Sequence, residues 1–475
     1  MPSEQRCENG LFIFTRDLRI IDNNGLNEAV NNCNKVYTVF FFNKEQVVNN
    51  PFKSENAVQF MIESLEDLSK AISSKGGKLI VLFDYEKSLR QCIEKLDIDA
   101  VYINKDVTPY AKLRDDKMEK IAKRADASFH QVDDFYLVPP GTIETSGGKP
   151  YVKFTPYYDR VMSEVKAKRV SFDKPSTSRS INSRLAGGNI RGELKLSDAL
   201  KRFGGKGSPS RLVNGGRDNA LKQMKVAKQN VKNYEATRND LSDKTTQLSA
   251  YIKFGNISIR EMNEFIKTIS SPKARESLQR QLVWRDFYAQ ILYHNPEVLS
   301  GAMKESLDDI KWVKNKQFAD AWKEGKTGYP IIDAAMRQLK ETGYMHNRAR
   351  LIAGSFLPKT LLLDWQIGEK HFARMLTDYD PASNNGNWQW VAGTGSDSQP
   401  YFRILNPSLQ SKKYDTDAEY IKRWVPELES VPAKDIHNWA ETHVKYKDVK
   451  YPSPIVDYSD QKEKALDMYS KALRS

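Results

Sequence analysis

"NNGNWQWVAGTG" occupies residues 384 to 395. Two indoles, Trp388 and Trp390, stand two apart, with the amides of Asn384, Asn385 and Asn387 crowded before them and small residues after. A core helix is not expected to be built this way. Asparagine competes with the backbone for hydrogen bonds, and a buried amide needs partners. The stretch poses the question of what needs aromatic planes and amide dipoles side by side.

The chain around it, from about residue 216 on, reads as helical. "QLVWRDFYAQILYH" places Trp284, Phe287, Tyr288, Ile291 and Leu292 on one face. In "GYPIIDAAMRQLKETG", Pro330 suits a first turn and Gly343 a stop. "NRARLIAGSFLPKTLLLDW" is a further apolar helix, with a kink expected near Pro358. The first 135 residues behave differently. Short apolar runs, "LFIF", "KVYTVFFF", "KLIVLF" and "AVYINKD", alternate with amphipathic stretches such as "NAVQFMIESLEDLSKAISSKGG". That alternation implies a doubly wound parallel sheet with helices on both faces. Between the two, residues 136–215 are rich in Ser, Gly and Lys and read as loops and an interdomain connector. The expected plan is an α/β domain over 1–135, a connector over 136–215 and a larger all-α domain over 216–475.

Bulk properties fit such a plan. A chain of 475 residues exceeds one compact core. Its 74 Lys and Arg against 61 Asp and Glu leave a net charge of +13, which favours a polyanionic partner, nucleic acid above all. The 22 Tyr, 20 Phe and 8 Trp add stacking surfaces for bases. The 3 cysteines, Cys7, Cys33 and Cys92, lack CxxC spacing, so neither a disulfide framework nor a zinc site is expected, and a reducing compartment fits. No metal site is anticipated. The polar start "MPSEQRCENG" argues against secretion, and the apolar runs are too short to span a bilayer. An intracellular, soluble protein without a membrane partner is expected.

Three segments together point to a family. "FTRDLRIIDNNGL", "KTGYPIIDAAMRQLKETGYMHNRAR" and "DYDPASNNGNWQWVAGTGSDSQPYFRILNPSLQSKKYD" resemble, in order and over nearly the whole chain, the photolyase/cryptochrome family of light-driven flavoproteins. The motifs are most similar to those of class I cyclobutane pyrimidine dimer photolyases. The resemblance implies FAD, working as FADH⁻, in the helical domain, and allows for a second antenna chromophore of unidentified type. Tyr234, Thr245, Thr246, Leu248 and Ser249 match the part that holds the pyrophosphate, with Gln247 where the family usually has Arg. Hydroxyls and backbone N–H groups at a helix start suit a phosphate. Arg350 and Asp378 match a pair flanking the flavin, Asp380 the ribityl–adenine end, and Asn384 the residue facing flavin N5. Trp388, Trp365 and Trp312 match an electron relay. Without the family, those tryptophans would read as core packing and "TTQLS" as an ordinary helix start.

The implied substrate is UV-damaged DNA, bound by a monomer, with the lesion flipped out of the stack. Trp284 and Trp390 match the walls of the lesion cavity, Asn347 a base-edge contact, and Arg238, Arg285, Arg348 and Arg403 backbone contacts. Gln281 stands where cyclobutane-repair members usually carry Glu, and Leu351 where they often carry Met. Two other activities are weighed. A (6-4) photolyase would carry histidines at Asn347 and Leu351, and a plant-type cryptochrome an Asp at Asn384.

Overall fold

The computed structural model describes residues 6–474. Five strands, β1 (Cys7–Phe14), β2 (Cys33–Phe42), β3 (Leu79–Phe83), β4 (Ala100–Asn104) and β5 (Ser128–Val132), form one sheet in the order β3-β2-β1-β4-β5. Every pairing is parallel. The crossovers are the helices Asn24–Asn32, Glu55–Ser73, Tyr85–Leu96 and Pro109–Lys123. The apolar runs follow from burial on both faces. Leu11, Ile13, Val39 and Phe41 pack on Leu89, Ile93 and Met118. Phe12, Phe14, Phe40 and Phe42 point the other way, into a core that also takes in Phe60, Tyr157, Phe254 and Phe287. Sheet and helices therefore share one apolar interior. A separate core, built around Trp322, Phe356, Trp388 and Trp439, stabilises the rest of the helical region. The expected α/β domain followed by a larger helical domain is the observed architecture.

Four local expectations are corrected. First, Pro381–Ala392 is an α-helix, so the amide-rich stretch does form a buried helix. Asp380 caps it by accepting from Ser383 N–H at 3.0 Å, Pro381 starts it, and Gly393 ends it at φ +89°. Its amides carry no helix penalty through orphaned dipoles because they find partners across the fold. Asn385 Nδ2 donates to Val298 O and Glu369 Oε1, and Gln389 Nε2 donates to Val298 O and Asn385 Oδ1. Second, Cys7 and Cys33 are joined in a disulfide, where none was expected. They sit opposite each other in the β1–β2 register, a proximity that sequence spacing cannot display. Cys92 is free and buried. Third, Pro358 does not kink a longer helix. The helix Asn347–Lys359 ends one residue after it. Fourth, the connector 136–215, read as loops, contains the helix Phe154–Lys166. Phe154 is fully buried, and its ring stacks on Trp284 with centroids 3.6 Å apart. Among the described residues no helix is long and apolar enough to cross a membrane.

Candidate functional site

Three helices, Asn347–Lys359, Trp365–Met375 and Pro381–Ala392, enclose a cavity of about 100 Å³. Close approach is possible because Gly368 lacks a side chain. A Cβ there would lie 2.1 Å from the Trp388 indole. The lining brings together Asn347, Arg350, Asp378, Asp380, Asn384 and Trp388, six of the residues that the motifs single out, with Leu351 beside them.

Their polar groups are fixed in advance. Arg350 Nη2 donates to both oxygens of Asp378, at 3.2 and 2.9 Å, and Ser249 Oγ donates to the same carboxylate at 2.7 Å. Asn384 Nδ2 donates to Glu369 O at 3.1 Å, which leaves Oδ1 for a ligand. Asp380 pairs with Arg16 at 2.8 Å. Burial works against its charge, yet Arg16, Lys253 and Arg285 outweigh that and hold the carboxyl well below the usual range. Glu369, behind Asn384, is instead pushed up to about 7 by burial. Arg16 and Glu369 were not among the expected site residues. Arg16 lies inside "FTRDLR", and its pairing with Asp380 depends on a contact between distant parts of the chain.

The pyrophosphate candidates lie alongside. Ser249 starts the short helix Ser249–Lys253, and Thr245 Oγ1 is 3.2 Å from Tyr344 OH. Leu248 is fully buried, so only its backbone N–H is available, and that lies 3.4 Å from Thr246 Oγ1. Gln247 adopts φ +54°, a left-handed backbone unusual for a residue with a Cβ. Tyr234 packs at the edge of the same core. This donor set has the chemistry that a flavin nucleotide would need: a free amide acceptor at Asn384 for a ring N–H, the Arg350–Asp378 ion pair, and hydroxyls at Thr245, Thr246 and Ser249 for phosphate.

The other candidates divide. Trp388 and Trp365 are buried in one core, with Trp312 packed against it. Trp284 is half-buried with one face covered by Phe154, and Trp390 is half-buried. Gln281 Nε2 reaches Ser277 O at 3.4 Å, so its second N–H and its Oε1 are uncommitted. Arg403 is exposed and makes no ion pair among the described residues. Arg348 is held by Asn239 Oδ1 at 3.2 and 2.6 Å over the Tyr414 ring, and Arg238 donates to Ser277 Oγ at 3.2 Å. Arg285 is spent on structure. It donates to Phe135 O at 2.6 Å and lies over Tyr136.

A second cavity of about 390 Å³ lies at the carboxyl ends of the central strands, beyond Phe14 and Phe41, where the order of the sheet reverses. Arg16 and Asp106, paired at 2.9 Å, stand in its wall with Lys253, Glu369 and Tyr379. Buried in the wall, Asn43 Oδ1 and the Tyr110 hydroxyl lie close to each other without a hydrogen-bond partner of good geometry.

The chain matches the family model for DNA photolyase over residues 11–176 and that for the FAD binding domain of DNA photolyase over 277–471. It is 34% identical over 472 residues to the deoxyribodipyrimidine photo-lyase of Alkalihalophilus pseudofirmus, with 96% of each chain covered. It belongs to the DNA photolyase family. The Escherichia coli deoxyribodipyrimidine photo-lyase is 31% identical over 486 residues, covering 97% of this chain and 98% of that one. Solved photolyases share the fold. A bacterial class III photolyase from Agrobacterium tumefaciens superposes with TM-score 0.89 at 31% identity, covering 100% of both chains. The Sulfolobus tokodaii photolyase, solved with two FAD molecules, gives TM-score 0.85 at 37% identity, covering 98% of this chain and 100% of that one. The helical cavity thus lies inside the part of the chain that matches a photolyase FAD-binding domain.

Proposed function

We propose that this photolyase-family enzyme repairs cyclobutane pyrimidine dimers in DNA, using light. One observation carries the reading: Arg350, Asp378, Asp380, Asn384 and Trp388 converge on a single cavity within the FAD-binding domain. Reduced FAD, when bound there, supplies the light-excited electron that opens the dimer. The protein's own groups do the rest. The Arg350–Asp378 pair and Ser249 orient the cofactor, and Asn384 Oδ1 accepts from its ring edge without needing to change charge. Trp284 and Trp390 offer planes to a flipped dinucleotide, while Gln281 and Asn347 offer amides to its base edges. Arg238, Arg348 and Arg403 supply cations for phosphates, and Arg285 is the least available of the four proposed contacts. Trp388, Trp365 and Trp312 are the residues that would pass an electron inward to an oxidised flavin. The 390 Å³ cavity is the proposed seat of a second, light-gathering chromophore, a reading supported by the two FAD molecules of the Sulfolobus tokodaii protein. The enzyme is proposed to act as a monomer inside the cell.

The deciding experiment illuminates the reduced protein with purified cyclobutane dimers and, separately, with (6-4) products. Loss of the cyclobutane dimer alone is expected, with Trp284→Ala lowering lesion preference several-fold. Repair of (6-4) products alone would overturn the substrate assignment.

A further inference from the structure

A cleft of about 1010 Å³ opens where the first turn of the Glu55–Ser73 helix faces the Trp365–Met375 helix. It shares no residue with the flavin cavity, but Asn50 and Lys53 line both it and the 390 Å³ cavity. Four cations converge on it from three parts of the chain: Lys53, Lys323, Lys370 and Arg374. The one carboxylate in the lining, Glu55, is engaged by the Lys206 and Gly207 N–H groups at 3.0 and 3.1 Å. Of these four cations only Lys323 has an ion pair among the described residues, a long one of 3.9 Å to Asp320. Arg374 and Lys323 close their helices, where positive charge is favoured by the backbone dipole. That accounts for neither Lys53 nor Lys370. Lys370 and Arg374 stand one turn apart on one helix, an arrangement that repels. The accumulated charge is felt nearby: His371, in the same wall, is pushed down to about 4 by burial, then by Lys323 and Arg374.

We propose that this cleft is a binding site for phosphate groups, held by Lys53, Lys323, Lys370 and Arg374. The chemistry is that of a phosphate ester facing several cations with no competing free carboxylate. Two sources share it. One is a free phosphate ester. The other is the phosphate tail of a ring seated in the 390 Å³ cavity, reaching the cleft past Asn50 and Lys53. The second source rests on the proposed chromophore site, whereas the cleft itself does not.

Inorganic pyrophosphate titrated calorimetrically into the full-length protein at low salt is the test. Binding is expected, and Lys370→Glu with Arg374→Glu should weaken it at least tenfold. Both side chains are exposed, and an unchanged thermal midpoint shows that the fold survives. If the double reversal perturbs folding, Lys53→Gln on the opposite wall should still weaken binding several-fold. Affinity for undamaged DNA should not move. A tenfold preference for riboflavin phosphate over riboflavin, lost in the double variant, assigns the phosphate to a ring ligand. Equal affinity for the two, with pyrophosphate binding retained, assigns the cleft to free phosphate esters. No pyrophosphate binding, binding indifferent to the reversal, or a parallel loss of DNA affinity overturns the proposal.

Discussion

The helical cavity and the 390 Å³ cavity differ in how far their polar walls are bonded before a ligand arrives. In the helical one, polar side chains are committed before any ligand arrives: Asn384 to Glu369 O and Asp378 to Arg350 and Ser249, with Asn385 of the same helix, outside the lining, bonded to Val298 O and Glu369. In the one at the carboxyl ends of the strands, Arg16 and Asp106 are paired, but Asn43 Oδ1 and the Tyr110 hydroxyl are buried without a well-formed partner. A committed network fixes dipoles in place, so little reorganisation is needed when charge moves nearby. An uncommitted wall leaves polar groups whose burial is still uncompensated. The difference suits a reaction centre on one side and a site that only has to hold a ligand on the other.

The comparison breaks most directly at Asn385. Asn385→Leu keeps the bulk but removes the donor to the Glu369 carboxyl, while Gln389 keeps Val298 O and Gly301 O as acceptors. Leaving the Glu369 oxygen unpaired costs roughly 1–3 kcal/mol, so a loss of up to about 3 kcal/mol is expected, read as a drop in thermal midpoint of up to about 3 °C, because a chain this long unfolds with an entropy of about 1 kcal/mol per degree. A change below about 1 kcal/mol would mean that the helical network is not what holds these helices together.

Glu369 sharpens the comparison because it stands between the cavities, with its carbonyl on Asn384 and its carboxyl in the wall of the larger one. Burial raises its ionisation from 4.5 to about 7. Below the lower value both folded and unfolded chains are protonated there. Between the two values only the unfolded chain ionises, so the folded state binds the extra proton and stability falls as pH rises. The loss is complete above about 7 and amounts to about 3 kcal/mol. Glu369→Gln still accepts from Asn385 and carries no charge. It should be close to neutral at pH 5 and stabilising at pH 8, as thermal midpoints at the two pH values will show. An equal shift at both values would mean that the side chain is solvated rather than buried.

How much of this was legible in the sequence depends on what each element packs against. β1 to β4 announced themselves because their central runs, such as Leu11 to Phe14 and Val39 to Phe42, are apolar and buried on both faces. β5, "SFHQV", stayed hidden. It lies at the sheet edge, with Ser128 and Gln131 exposed, and shows no apolar run. Pro381–Ala392 failed as a helix for the reverse reason. Its buried face mixes the amides of Asn384, Asn385 and Gln389 with Trp388 and Val391, and the amides' partners on Val298 and Glu369 come from elsewhere in the chain. Periodicity counts apolar side chains and cannot see a polar core. Arg350, Asp378 and Asn384, singled out by the motifs, line one cavity, yet the motifs gave no hint of Arg16, which arrives from the sheet domain. Nor did they show that Arg285 would be occupied by Phe135 O. Both depend on how the two domains meet.

The smallest effect is expected at Tyr110, and it tests the other half of the comparison. Its hydroxyl is buried, and burial pushes its ionisation well up. Phenylalanine has the same ring without the oxygen. If the hydroxyl has no effective partner, Tyr110→Phe removes a desolvated group and loses nothing, so stability should stay within about 0.5 kcal/mol or rise slightly. If instead the hydroxyl were well bonded to Asn43, the substitution would leave that Oδ1 unpaired in the wall and cost about 1–3 kcal/mol, and the two cavities would be alike. A ligand separates the cases further. A ring with polar edges in the 390 Å³ cavity would use the Tyr110 hydroxyl, so Tyr110→Phe should weaken its binding several-fold while leaving the thermal midpoint of the ligand-free protein unchanged. Riboflavin titrated against both proteins, followed by quenching of its fluorescence, gives that ratio. Equal binding by the two, together with equal stability, would show that the hydroxyl serves neither the fold nor a ligand, and the uncommitted wall would lose its meaning.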